Sequence, residues 1–95
     1  MASEIKSITI PKEVIREAVF RTVRLRIEEI NQKLSDIYTS MRYFEMKYGM
    51  DSEKFYNKFV SGSLGDEMDF FEWKASTEIY NELKEEKKVL IGAIG

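Results

Sequence analysis

Apolar residues recur at alternating spacings of three and four along the first half of the chain. The series, called the seam below, comprises Phe20, Val23, Ile27, Ile30, Leu34, Ile37, Met41, Phe44 and Tyr48. This spacing is typical of a helix that packs lengthwise against another helix. Pro11 suits a helix start and Gly49 a helix stop. The pattern therefore predicts one long helix over residues 11–48.

Two partners for the seam are compatible with this pattern. The first is the chain's own C-terminal helices, which we favour because the positions beside the seam offer few complementary charge pairs for an isolated two-stranded coil. The second is a coiled-coil dimer. Val14, Ala18 and Leu25 lie almost opposite the seam, so the N-terminal half of the helix is apolar on two sides. We therefore expect a dimer formed through the N-terminal region.

The remaining segments complete an all-α helical hairpin in a single domain, residues 1–95. Residues 1–10 form a short extended arm, and residues 51–60 a short helix that begins at Asp51 or Ser52. Residues 66–88 form the C-terminal helix, with Asp66 and Asp69 spaced like a capping box. Residues 89–95 are an apolar tail whose glycines weaken a helical continuation.

The C-terminal helix carries two apolar stripes. The first contains Met68, Phe71, Ala75, Ile79 and Leu83, and it is expected to be the ordinary core face. The second, called the aromatic ridge below, contains Phe70, Trp73, Thr77 and Tyr80 on nearly the opposite side. Two interpretations of the aromatic ridge stay open. It is either buried because the helix is sandwiched between the other two, or it binds a partner protein.

Composition removes most familiar chemistry. The 95 residues contain neither histidine nor cysteine, which are the most versatile proton carrier and the usual thiolate nucleophile and metal ligand. The acidic residues 66, 67, 69 and 72 match a helix's first turn better than a cation site. We therefore expect no enzymatic activity, no metal and no cofactor. The sequence shows no apolar run of membrane-spanning length and no secretory signal, so a cytoplasmic protein is expected.

The N-terminal third is basic while the rest is acidic. Residues 1–33 hold seven Lys and Arg against five Asp and Glu. The phosphate-capable cations are Lys6, Lys12, Arg16, Arg21 and Arg24. Residues 8–14 resemble the opening of ribbon-helix-helix antitoxins, where a paired strand inserts into DNA, although residues 12–48 lack the glycine of that family's turn. A dimeric nucleic-acid-associated regulator is therefore the alternative hypothesis for function.

A longer resemblance covers about residues 44–83. The sequences KYGMDSEKFY at 47–56, SGSLGD at 61–66 and DFFEW at 69–73 are similar to those of small prokaryotic proteins encoded beside a toxin gene. The resemblance implies an antitoxin that binds and neutralises a cognate toxin protein. It implies toxin contacts at Leu64, Asp66, Phe70 and Trp73, with Gly62 and Gly65 shaping the loop. Tyr80 extends this expected surface along the aromatic ridge.

Overall fold

Three helices make up the described part of the protein. The computed structural model describes residues 9–95, in which α1 spans Lys12–Tyr48, α2 spans Ser52–Val60 and α3 spans Met68–Ile94. The chain turns back between α1 and α3, and the two long helices run antiparallel, forming an elongated hairpin with principal extents of 66 × 26 × 18 Å. The predicted all-α hairpin is therefore confirmed.

The helix boundaries follow local physical chemistry. Gly49 adopts a left-handed backbone conformation with φ of 69°, and its N–H donates to the carbonyl of Glu45, which ends α1. The Asp51 side chain accepts a hydrogen bond from the backbone N–H of Lys54 at 2.8 Å and so caps α2. Both signals were visible in the sequence, and the structure confirms both.

The seam of α1 packs against α3 and α2 within the same chain. Ile30, Met41 and Phe44 are buried, and Ile37 and Tyr48 lie against the core cluster. Farther toward the N-terminus the helices are joined by an ion pair, in which the Arg26 guanidinium donates to both carboxylate oxygens of Glu86 at 2.6 and 2.8 Å. The expectation that the chain's own helices cover the seam is confirmed for its central and C-terminal part, whereas Phe20 at its N-terminal end is 43% exposed.

An aromatic core closes the hairpin where the three helices meet. Trp73 is completely buried and stacks on the ring of Phe55, with 3.9 Å between ring centroids and 4° between planes. Phe44 and Tyr48 stack against Trp73 from α1 at 5.7 and 5.8 Å. Phe70 packs on Phe55 at 5.5 Å. Because α2 supplies the central ring, this short helix holds the two long ones in register.

Two boundary predictions for α3 were wrong. Glu67 is its N-cap and makes no side-chain capping bond. Asp69 instead accepts hydrogen bonds from Lys47 and Tyr48 of α1, both at 2.7 Å, so the expected capping box does not form. The helix also continues to Ile94, beyond the predicted end at residue 88. Leu90 and Ile94 are half-buried, and Ile94 lies beside Val19 and Phe20 of α1; this packing offsets the helix cost of Gly92, about 1 kcal/mol. The predicted arm lies mostly at residues 1–8, outside the described residues.

Candidate protein-binding surface

The aromatic ridge of α3 belongs to the core. Phe70 is 7% exposed, Trp73 is 0% exposed and Thr77 is buried, while Tyr80 is half-buried against the same cluster. Of the two interpretations left open by the sequence, the structure supports the sandwich. Phe70 and Trp73 therefore do not offer their side chains to a partner, which corrects their assignment as contact residues.

A buried polar chain explains why Trp73 faces inward. Its indole N–H donates to the Ser52 hydroxyl at 2.9 Å, and that hydroxyl and the Ser52 backbone N–H donate to one carboxylate oxygen of Glu45 at 2.9 and 2.8 Å. Burial raises the pKa of Glu45, but the hydrogen bonds from Ser52 and Arg42 outweigh it and hold the net pKa below its ordinary value. Within residues 9–95 every buried side-chain nitrogen and oxygen has a hydrogen-bond partner, so the arrangement stabilises the fold.

The stripe expected to form the core is largely on the surface. Met68 is 84% exposed, Phe71 is 53% exposed and Ile79 is exposed, whereas Leu83 alone is buried. The prediction that this stripe is the core face was wrong. The two stripes have the same period, so periodicity could not rank them. The pairing of Trp73 with Phe55 and Ser52 decides which one faces inward.

Met68 and Phe71 stand beside the loop that joins α2 to α3. Gly62 has a φ of 80°, a left-handed conformation that favours glycine, and its N–H donates to the carbonyl of Phe59. The only aromatic ring paired with Phe71 is that of Phe59, in a T-shaped arrangement with 5.4 Å between ring centroids. Neighbouring apolar side chains that are exposed together are one feature of protein-binding surfaces. We call Met68, Phe71 and loop residues 61–67 the loop-end surface.

The residues implied by the resemblance divide between this surface and the core. Gly62, Gly65 and Asp66 are exposed in the loop, and Leu64 is half-buried against the aromatic core. Tyr80 lies farther along α3, where it lines a groove of about 390 Å³ with Leu34, Ile91 and three lysines. Sequence reasoning missed Met68 and Phe71 as surface residues. Their apolar side chains suggested that they lie in the core. Only the burial of the aromatic ridge on the opposite side of α3 shows that they do not.

The basic N-terminal residues do not converge on one face. Lys12, Arg16, Arg21 and Arg24 are all exposed, and Lys6 lies outside the described residues. Arg21 pairs with Glu17 at 3.8 Å, and the Arg24 guanidinium sits 5.9 Å from the ring centroid of Phe20. A carboxylate among the cations weakens attraction for a polyanion.

Three further findings bear on function. Within residues 9–95, no group of three acidic side chains is arranged to hold a metal ion. None of the three helices is both long and apolar enough to cross a membrane. No family model matches the chain, and neither a curated protein nor a solved structure shows significant similarity to it.

Proposed function

We propose that this protein is an antitoxin-like binding protein that captures a cognate toxin protein in the cytoplasm and blocks its active surface without catalysing a reaction. The observation that carries the proposal is the exposure of Met68 and Phe71 on the first turns of α3. They lie within the segment that resembles small proteins encoded beside toxin genes. We also propose that the protein acts as a homodimer.

The physical support for a protein partner is the mixture of groups at the loop-end surface. Two large apolar side chains stand on a helix whose conformation is fixed by the aromatic core behind it. The backbone that carries them is therefore already ordered, so binding costs little backbone entropy. Asp66 and Glu67 lie beside them and are exposed, which supplies a polar rim around an apolar centre. Interfaces between proteins are commonly built in this way.

The proposal assigns different roles to the residues of the resembling segment. Met68 and Phe71 contact the toxin, with Asp66 at the rim and Gly62 and Gly65 setting the course of the loop. Phe70, Trp73 and Leu64 act indirectly, because they support the helix and loop from inside. This distribution explains how one sequence signature contains both binding and structural residues.

The test is affinity purification of the tagged protein from its native host, with mass spectrometry and a nuclease-treated control. Recovery of one small protein encoded beside it, resistant to nuclease, supports the proposal. The double variant Met68→Lys and Phe71→Lys is expected to lose that protein. The matched control Met46→Lys, at an exposed methionine of α1, is expected to retain it.

Growth of cells that express the recovered protein provides the functional readout. Co-expression of the wild type or the Met46→Lys control is expected to relieve toxicity, and the loop-end double variant is expected not to. Recovery that nuclease abolishes would favour a nucleic-acid-associated regulator instead. Relief of toxicity by the double variant would overturn the assignment of the loop-end surface.

A further inference from the structure

The first half of α1 carries a second apolar face that points away from the seam. Ile15, Ala18, Thr22 and Leu25 follow one another at spacings of three, four and three, which places them on one side of the helix. All four are exposed, and Leu25 is 56% exposed. Val14 and Val19 border this row and are also exposed. We call these six residues the N-terminal face.

The shape of this face suits the insertion of large side chains. A recess of about 250 Å³ is lined by Ala18, Val19, Thr22 and Val23. It exists because Ala18 is short and because the Thr22 hydroxyl turns back to donate to the Ala18 carbonyl at 2.9 Å. Leu25 and Ile15 stand on either side of the recess along the helix. The face therefore has a shallow, open depression, bounded by Val23 of the seam, beside large side chains of the kind that pack into such depressions.

The charges around this face match a second copy of the same surface. Arg21 is paired with Glu17, and Arg26 is paired with Glu29. Arg21 and Arg26 therefore each have a carboxylate on their own helix, so these charges largely cancel and add little repulsion between two identical faces. A surface of one sign would instead repel its own copy.

The available area is sufficient for a modest dimer. Four half-exposed large aliphatic side chains with Ala18 and Thr22 provide roughly 300 Å² of apolar surface per copy. Apolar atoms make up about 60% of a typical interface, so each copy would bury about 500 Å² of surface and the two copies about 1,000 Å² together. That is about the lower bound for a specific interface.

We propose that the N-terminal face packs against the same face of a second copy, so that the two α1 helices form the dimer contact. The contact is about 45 Å along α1 from the helix's C-terminal end, at 1.5 Å per residue. The loop-end surfaces therefore lie far from the contact and stay free. If the proposed toxin binding is also correct, one dimer carries two toxin molecules.

Light scattering coupled to size-exclusion chromatography tests the contact without any toxin. The wild type is expected to show twice the 11.2 kDa chain mass. Leu25→Glu is expected to halve that mass, whereas Met46→Glu, at an exposed residue on another part of α1, is expected to leave the dimer intact. Circular dichroism checks that both variants keep the helical content of the wild type.

Cysteine cross-linking provides a second measurement that does not depend on a disruptive variant. The chain has no cysteine, so Ala18→Cys introduces a single thiol at the centre of the face. Mild oxidation is expected to yield a covalent dimer from Ala18→Cys and little from Asn57→Cys on α2, which is also exposed. A wild type of 11.2 kDa up to millimolar concentration, or equal cross-linking at the two positions, would overturn the proposal. If the wild type is a dimer in these measurements but captures no toxin in the affinity purification, only the proposed function is contradicted.

Discussion

Phe70 and Phe71 are neighbours of the same residue type in opposite environments, and alanine substitution of each tests the packing of α3. Phe70 is 7% exposed and lies 5.0 Å from the ring of Tyr48, 5.5 Å from Phe55 and 6.2 Å from Phe59, between centroids. Phe71 is 53% exposed and pairs with a single aromatic ring, that of Phe59, in a T-shaped arrangement. Helix propensity changes equally in both variants, so the comparison isolates burial.

The two substitutions should differ by about 2–3 kcal/mol in the free energy of unfolding. Replacing a core phenylalanine by alanine costs about 3–5 kcal/mol, including the cavity that remains. Full burial of a phenylalanine side chain is worth roughly 1.5–3 kcal/mol, and Phe71 has about half of that plus one edge contact between rings, or about 1–2 kcal/mol. A domain of this size is stable by roughly 5–14 kcal/mol. Phe70→Ala is therefore expected to remove a large fraction of the total.

Urea unfolding followed by far-ultraviolet circular dichroism measures both costs. Phe70→Ala is expected to move the urea midpoint to a concentration lower by about 1 M or more than that of Phe71→Ala. Fluorescence of Trp73 should report the same transition, because the indole lies in the core beside Phe70. Equal costs, or a larger cost for Phe71→Ala, would refute the assignment of the aromatic ridge to the core.

Three further predictions concern the ends and the polar contacts of the helices. Gly49→Ala is expected to cost about 1–2 kcal/mol because its φ of 69° disfavours a side chain, while Gly65→Ala, at a loop glycine without positive φ, should be near neutral in the same urea assay. Ser52→Ala is expected to cost about 1–3 kcal/mol by leaving the buried Trp73 N–H without an acceptor, as thermal unfolding will show. Hydrogen bonds from a lysine and a tyrosine of α1 hold the pKa of Asp69 below its ordinary value. The ionised Asp69 therefore stabilises the fold above its ordinary pKa, and this stability is lost as pH falls through the lowered pKa of the folded state. Asp69→Asn should accordingly lose less melting temperature than the wild type between neutral and acidic pH.

The local elements of the fold were predictable from the sequence because their signals act over a few residues. A left-handed glycine after the last turn of α1 and an aspartate before α2 each satisfy backbone groups next to them, and the fixed φ of the proline before α1 suits a helix start. The seam indicated which side of α1 is buried, because the central and C-terminal parts of this helix have only one strongly apolar side. The prediction that α3 ends at residue 88 was wrong because it rested on the glycines of the tail and did not include the packing of α3 beside α1.

The candidate site was predictable only in part, since it depends on which stripe of α3 is left outside. Gly62, Gly65 and Asp66 are in the loop and exposed, as their residue types suggested. Phe70 and Trp73 are large aromatic residues, which are typical of both cores and binding surfaces. Composition does not separate these two environments. Met68 and Phe71 were assigned to the core for the same reason, and their exposure became apparent from the three-dimensional arrangement alone.

The sequence by itself determined the number of helices, their approximate bounds, the hairpin and the buried side of α1. Only the tertiary structure decided the orientation of α3 about its own axis. Both stripes of α3 have helical period and ample apolar area, so the hydrophobic effect alone does not distinguish them. The choice comes from contacts between residues distant in sequence: Phe55 stacks on Trp73, and Ser52 accepts the indole N–H. The ring of Phe55 and the hydroxyl of Ser52 can contact Trp73 in only one orientation of α3. That orientation leaves Met68 and Phe71 on the surface.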